Sequence, residues 1–268
     1  MSKKLVCTGA SITVGYGWDL SDTDQVDSMW VNQLPKKINS FKNLEIINLG
    51  VTAQSNELIF ESTINAIANY KQDIEMLLCS WVSCLRYHYS LGFELYATND
   101  LFPRVLQQDL GLNSGTIPKD YVNNLKTRFF SLHHLHFEIL KIIRYTNIIS
   151  NLASSCNINV YHINDSCPWD QDFFVKQSGL PSAYTKFTQE EILNVNNRSD
   201  DEIYKLYDKM HNEYQAAGGI KKENWINLDQ SFLSLSSDKN SDNRHPGKKS
   251  NNLYSDLVKH FLNSKNIF

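Results

Sequence analysis

The sequence has no strong charge imbalance, no long apolar run and no basic block. Its 268 residues include 26 Lys and Arg against 29 Asp and Glu, which leaves no electrostatic footprint for nucleic acid. No apolar run is long enough to span a bilayer, and residues 1–4 lead directly into a predicted strand instead of a signal peptide. We therefore expect no nucleic-acid or membrane partner, and a cytoplasmic protein, or a virion-associated one if it comes from a virus.

Metal and cofactor motifs are also scarce. The five cysteines form no CxxC pair, which favours reduced, mostly buried thiols. His133, His134 and His136 point in different directions on a helix, and no Cys or carboxylate set at ligand spacing accompanies them. The turn at 15–17 has two glycines but lacks the third glycine of a dinucleotide-binding loop. We expect neither a metal nor a cofactor.

Short apolar runs alternate with segments of helical periodicity along the chain. This alternation predicts an α/β fold in which helices cover both faces of a mainly parallel, five-stranded sheet. The predicted strands are 3–8, 44–48, 74–80, 158–163 and 224–228, and the predicted helices are 27–40, 55–70, 131–155 and 249–263.

Two segments do not fit a minimal sheet of this kind, namely 84–130 and 165–222. Within the second, a capping box at 199–202 and the glycines at 218 and 219 predict a helix over about 199–217. Both segments follow strands, so we expect insertions over the site in a single domain, 1–268. The alternative is that they only thicken the fold.

Two short motifs near opposite ends of the chain carry reactive side chains. Ser11 follows the first predicted strand, where open α/β sheets build their sites. Asp242 lies three residues before His245, so one loop can supply a base and the carboxylate that orients it. The alternatives are a helix-capping serine, a turn-forming aspartate and an ordinary loop histidine.

These motifs resemble three sequence blocks of the SGNH, or GDSL-like, hydrolases. Segment 9–13 is similar to the Gly-Asp-Ser block, with Ala10 in place of Asp. Segment 48–50 is similar to the second block, and segment 242–246 is similar to the Asp-x-x-His-Pro block. The resemblance implies a flavodoxin-like, three-layer α/β/α sandwich of the SGNH type. It also implies a catalytic triad of Ser11, His245 and Asp242, with the N–H groups of Ser11 and Gly50 binding the oxyanion. A structural alternative for Gly50 is a glycine required by the strand exit.

The third block departs from the family pattern. Val82 occupies the position of the asparagine that completes the family's oxyanion hole, and it cannot donate a hydrogen bond. This departure resembles a divergent branch of phage and environmental sequences. We expect Ser83 or Asn56 to be the substitute donor, and Trp81 and Arg86 to bind substrate. The alternatives are that Ser83 and Asn56 are buried polar groups that hold loops together, that Trp81 belongs to the core, and that Arg86 forms a salt bridge.

The resemblance and the motifs together predict a serine esterase. We expect it to remove an O-acyl group, acetyl first, from a small molecule or a glycan, without a cofactor. An O-acyltransferase that uses the same triad is one alternative, because the insertions could exclude water from the site. A non-catalytic binding or virion structural protein on the same fold is the other.

Overall fold

The structure, a computed structural model, describes residues 2–52, 54–82, 87–91, 94–98, 135–165, 212–228, 230–242 and 245–266. Its contacts divide the chain into two compact units. The first comprises 1–83, 146–167 and 221–268, and the second comprises 84–145 and 168–220. The single-domain organisation stays a prediction, and most of the two predicted insertions lies outside the described residues.

The first unit contains a parallel sheet of four strands, which confirms the α/β class. Its order is β2-β1-β3-β6, so the strand that precedes Ser11 lies in the interior of the sheet. In the second unit, β4 and β5 form an antiparallel pair, and residues 212–216 are helical and end at the predicted glycine pair. The strands are β1 (Lys4–Thr8), β2 (Glu45–Asn48), β3 (Ile74–Trp81), β4 (Tyr87–Leu91), β5 (Glu94–Thr98) and β6 (Asn159–Asn164).

The predicted fifth strand, 224–228, is reduced to a single bridge, which corrects the five-stranded sheet. Trp225 pairs with His162 in an isolated parallel bridge. Two residues later, the side chain of Asn227 takes both backbone groups of Asn164: its Oδ1 accepts from the N–H at 2.9 Å and its Nδ2 donates to the carbonyl at 2.8 Å. Because the amide replaces a backbone partner, the ladder ends there.

Besides the helical residues 212–216, seven helices are described, and the predicted segment 27–40 contains a break. Met29 adopts an extended conformation that ends α2, and the N–H of Trp30, at the start of α3, donates to Asn251 Oδ1 in α7. The helices are α1 (Ser11–Val14), α2 (Thr23–Ser28), α3 (Trp30–Lys37), α4 (Asn56–Tyr70), α5 (Leu135–Ser155), α6 (Phe232–Leu235) and α7 (Lys248–Ser264). None of the described helices is both long and apolar enough to cross a bilayer.

The sheet of the first unit is covered on both faces. Cys7 and Leu78 belong to a buried cluster with residues of α3 and α7. Thr8, the next residue of β1, points to the other face and forms a 2.8 Å hydrogen bond with Thr63 of α4. Successive side chains of a strand alternate between faces, so α4 lies opposite α3 and α7. This is the predicted three-layer arrangement.

The cysteines that are described are free thiols. Cys7 and Cys79 are buried, and burial raises the pKa of both, that of Cys79 to about 12. Cys156 is half-buried. Cys84 and Cys167 lie outside the described residues.

Candidate active site

Ser11 is the first residue of α1, directly beyond the carboxyl end of β1. Its carbonyl accepts hydrogen bonds from the N–H groups of Gly15 and Tyr16, which closes the short helix into a tight turn. The side chain is half-buried, and its hydroxyl makes no hydrogen bond to another described residue. The fold therefore puts this serine at the edge where open α/β sheets present reactive groups.

Asp242 and His245 are in direct contact. His245 Nδ1 lies 2.6 Å from Asp242 Oδ2, and the His245 backbone N–H donates to Asp242 Oδ1 at 2.9 Å. A carboxylate against Nδ1 favours the tautomer with the proton on that nitrogen, so we assign Nε2 as the basic nitrogen. The predicted acid–base pair is thus assembled locally, within four residues.

The loop that carries this pair is bound to the turn that follows Ser11. Asn240 Nδ2 donates to the Tyr16 carbonyl and Ser241 Oγ donates to the Gly17 carbonyl, each at 3.0 Å. A Cβ at Gly17 would lie 2.6 Å from Asn240 Nδ2 and 2.8 Å from Asp242 Oδ2, so only glycine permits this approach. Ser11 Oγ and His245 do not hydrogen-bond in this structure, as is common before substrate binds.

The same loop is also anchored at the start of α7. The carboxylate of Asp238 accepts hydrogen bonds from the N–H groups of Lys249 and Ser250, at 2.9 and 2.8 Å, and from Ser250 Oγ. Partial burial opposes ionisation of Asp238, but these hydrogen bonds outweigh it and lower its pKa. The Asn240 N–H donates to the His245 carbonyl at 2.9 Å, so the loop is closed on itself.

Gly50 lies against the back of α1. A Cβ on Gly50 would be 2.8 Å from the Val14 nitrogen, which accounts for a glycine at this position. Its N–H, the expected oxyanion donor, donates to Asn48 Oδ1 at 3.0 Å, and Asn48 Nδ2 donates to the Thr13 carbonyl at 2.8 Å. Asn48 therefore ties Gly50 to the serine helix, a role that the sequence analysis missed.

At the end of β3, the backbone groups of Val82 are hydrogen-bonded to the side chain of Asn56. Asn56 Nδ2 donates to the Val82 carbonyl and Asn56 Oδ1 accepts from the Val82 N–H, both at 3.0 Å. The buried Asn56 amide thus holds one peptide of the chain in the way that a strand partner would. This contact matches the structural alternative, and Ser83 and Arg86 lie outside the described residues.

Trp81 lies in the core, which matches the structural alternative to its expected role in substrate binding. The side chain is fully buried, and its indole N–H donates to His162 Nδ1 at 3.1 Å. An aromatic ring enclosed on all sides presents no face on which a sugar could stack.

His162 is a buried titratable group that the sequence analysis did not identify. Its ring lies between those of Trp81 and Trp225, with centroids at 5.9 and 5.4 Å, and Nε2 is 3.1 Å from Ser150 Oγ. Burial lowers the pKa of His162 to about 3, so the ring is neutral at neutral pH. No sequence pattern marks it, because its isolation from water depends on three separate segments.

Within 2–82 and the other described ranges, no group of three His, Cys, Asp or Glu side chains could hold an ion.

No protein-family profile matches the sequence, and no curated protein sequence matches it. Several solved structures are similar to the chain over 97% of its length. One is a putative lipolytic protein of the G-D-S-L family from Desulfitobacterium hafniense DCB-2, covered over 99% of its chain, with 10% identity and a TM-score of 0.39. Another is TesA, covered over 98%, with 12% identity and a TM-score of 0.42. A third is LAE5, an alpha/beta hydrolase enzyme from the metagenome of Lake Arreo in Spain, covered over 94%, with 14% identity and a TM-score of 0.41.

Proposed function

We propose that this protein is a serine ester hydrolase in which Ser11 is the nucleophile, His245 the general base and Asp242 the group that orients the base. The observation that carries the proposal is the 2.6 Å contact of Asp242 with His245, on a loop bound to the turn that follows Ser11. An ordinary loop histidine would not require a carboxylate at its Nδ1. A serine that only caps a helix would not require the loop of His245 to be bound beside it.

The reaction consists of two acyl transfers. The Ser11 hydroxyl oxygen attacks the ester carbonyl carbon while its proton moves to His245 Nε2. The carbon–oxygen bond to the alcohol then breaks, and the same proton passes to the departing alkoxide. Water then gives a proton to His245 Nε2 as it attacks the carbonyl carbon of the acyl-serine. The bond from that carbon to Ser11 Oγ breaks, the proton passes from His245 to Ser11 Oγ, and the carboxylic acid leaves. Asp242 holds Nδ1 and stabilises the imidazolium in both steps.

The oxyanion that forms in each step needs hydrogen-bond donors. Ser11 contributes its own backbone N–H, which lies in the unpaired first turn of α1. The Gly50 N–H is the second donor in our proposal, and it must leave or share its bond to Asn48 Oδ1 when substrate binds. Ser83 remains the proposed third donor, since the Asn56 amide is engaged with Val82.

An acetyl ester of a carbohydrate is the substrate that we propose first, following the family resemblance of the sequence blocks. Acyl transfer to another hydroxyl would use the same acyl-serine. A non-catalytic binding protein is the second candidate function. Two features favour it: Val82 stands where the family has an oxyanion donor, and the Gly50 N–H is engaged by Asn48.

A fluorophosphonate probe separates these functions, because it reacts only with an activated serine. We expect one mass addition, located at Ser11 by peptide mapping, and hydrolysis of short-chain p-nitrophenyl esters. The Ser11→Ala variant should lose both, by at least about a thousandfold in kcat/KM, whereas Ser264→Ala, at an exposed position of α7, should keep them. Absence of labelling in the folded wild-type protein would reject the enzyme and leave the binding function.

A further inference from the structure

Tyr16 is an exposed aromatic side chain beside the base. Its ring centroid lies 5.0 Å from that of His245 in an edge-on arrangement, and the residue is 49% exposed. We propose that Tyr16 forms the binding surface for the alcohol portion of the ester and sets the selectivity for that alcohol. This inference rests on the proposed function.

The backbone of Tyr16 is held at both ends. Its N–H donates to the Ser11 carbonyl at 2.9 Å, and its carbonyl accepts from Asn240 Nδ2 at 3.0 Å. The first bond belongs to the nucleophile's turn, and the second to the loop of the base. Tyr16 is therefore positioned by the contacts that join these two elements, and its ring is set beside the reaction centre.

The chemistry assigns this side of the site to the leaving group. His245 Nε2 must deliver its proton to the alcohol oxygen, so that oxygen has to lie within hydrogen-bonding distance of the imidazole. A ring 5.0 Å from the imidazole then lies next to the carbon skeleton of the alcohol. The acyl chain is attached to the same carbonyl carbon but extends in another direction. Binding of the acyl chain therefore does not depend on the Tyr16 ring.

The exposed ring of Tyr16 also indicates the chemical class of alcohol. An aromatic ring offers a flat apolar face with a hydroxyl at its edge. It suits an alcohol that is itself ring-shaped, either a phenol or the C–H face of a sugar. A short linear alcohol would cover little of this surface.

Two ester series test the inference. The first keeps the acetyl group and varies the alcohol among ethanol, phenol and a methyl glycoside, and the second keeps the alcohol and lengthens the acyl chain. Each variant is compared with wild type on the same ester, so the intrinsic reactivity of the leaving group cancels. Tyr16→Ala should lower kcat/KM for the phenyl and glycoside acetates, relative to ethyl acetate, by about three- to tenfold. Its acyl-chain preference should stay as in wild type.

Further variants distinguish the contribution of the Tyr16 ring from those of its hydroxyl and of its side-chain size. Tyr16→Phe should keep the preference for cyclic alcohols, and Tyr16→Leu should lose it even if Tyr16→Ala fails to fold. Leu20→Ala is the matched control, because Leu20 is 64% exposed on the same connecting segment. It should behave as wild type in both series.

The fluorophosphonate labelling rate keeps the inference separate from the proposed function, since the probe carries no alcohol leaving group. Normal labelling with a lost alcohol preference supports Tyr16 as the alcohol-binding residue. Slower labelling together with equal losses on every ester would overturn the inference, because Tyr16 would then only support His245. An unchanged preference would overturn it as well. A wild-type protein that neither labels nor hydrolyses esters would instead reject the proposed function.

Discussion

The loop that carries His245 and the end of β3 both use side-chain amides to hold backbone, yet with opposite results. In the loop, Asn240 and Ser241 bind the carbonyls of Tyr16 and Gly17, and the Asp242–His245 pair stays half-buried and open to one side. At the end of β3, the Asn56 amide is hydrogen-bonded to the backbone of Val82, and Trp81 is buried in the core. The first region holds reactive groups at the surface, whereas the second uses its polar groups to complete the core.

From this contrast we expect mutations in the two regions to affect different properties, catalytic rate in one and stability in the other. Changes in the loop should reduce the rate of catalysis while the fold survives. Loss of the contact between Asn56 and Val82 at the end of β3 should reduce stability while the folded molecules keep their activity.

Asp242→Asn should have the largest effect. An amide at this position can donate to His245 Nδ1, which would leave the proton on Nε2 and remove the base. We expect kcat to fall by about a thousand- to ten-thousandfold, with the free energy of unfolding changed little. Steady-state ester hydrolysis and chemical denaturation measure the two quantities. Asp24→Asn, the same change at an exposed site on α2 whose carboxylate has no hydrogen bond or ion pair to another described residue, should alter neither. A drop in stability without loss of rate in Asp242→Asn would reverse the comparison.

Asn56→Ala should have the next largest effect, and on stability. It leaves the buried N–H and carbonyl of Val82 without their amide partner. At roughly 1–3 kcal/mol for each of the two unsatisfied groups, we expect the free energy of unfolding to fall by about 2–6 kcal/mol. The kcat/KM of the folded fraction should change by less than about tenfold.

Asn252→Ala, at an exposed position of α7, is the control for the Asn56 change. If Asn56→Ala instead lowered kcat/KM more than about tenfold with stability preserved, Asn56 would be the oxyanion donor expected from the sequence, and the contrast between the regions would fail.

Acid should destabilise the β3 region through His162, with an effect per pH unit that is smaller than that of the Asn56 change. The unfolded chain binds a proton on this histidine below pH 6.5, whereas the folded protein resists protonation until about pH 3. Its contribution is therefore complete above pH 6.5 and is lost as the pH falls. The free energy of unfolding should decrease by up to about 1.4 kcal/mol per pH unit within this window.

Denaturation curves measured from pH 7 to 4.5 test this dependence. The slope should flatten in His162→Gln and persist in His260→Gln, where the histidine is exposed. The imidazole NMR signal of His162 in the folded protein should not titrate over the same range. A midpoint near pH 6.5 would show that the ring is accessible to water.

Local features of this protein followed from the sequence. The periodicity of the segments located β1, β2, β3 and β6 and most helices, because apolar repeats report burial directly. The i, i+3 spacing of Asp242 and His245 predicted their contact, because three residues span at most about 10 Å and a single turn of the loop brings the two side chains together. The glycines at 15 and 17 marked the turn after Ser11 correctly.

Tertiary structure alone decided which partner each polar side chain took. Asn227 ends the sheet at Asn164, Asn56 binds Val82, and Asn48 takes the Gly50 N–H. An amide side chain can satisfy almost any donor or acceptor within about 3 Å, so its role depends on which groups the fold brings to that distance. The contact between Tyr16 and His245 likewise joins residues from opposite ends of the chain. Composition and spacing could therefore name candidate catalytic residues, but only the packed structure shows which of these candidates are half-buried near the surface and which hold the core together.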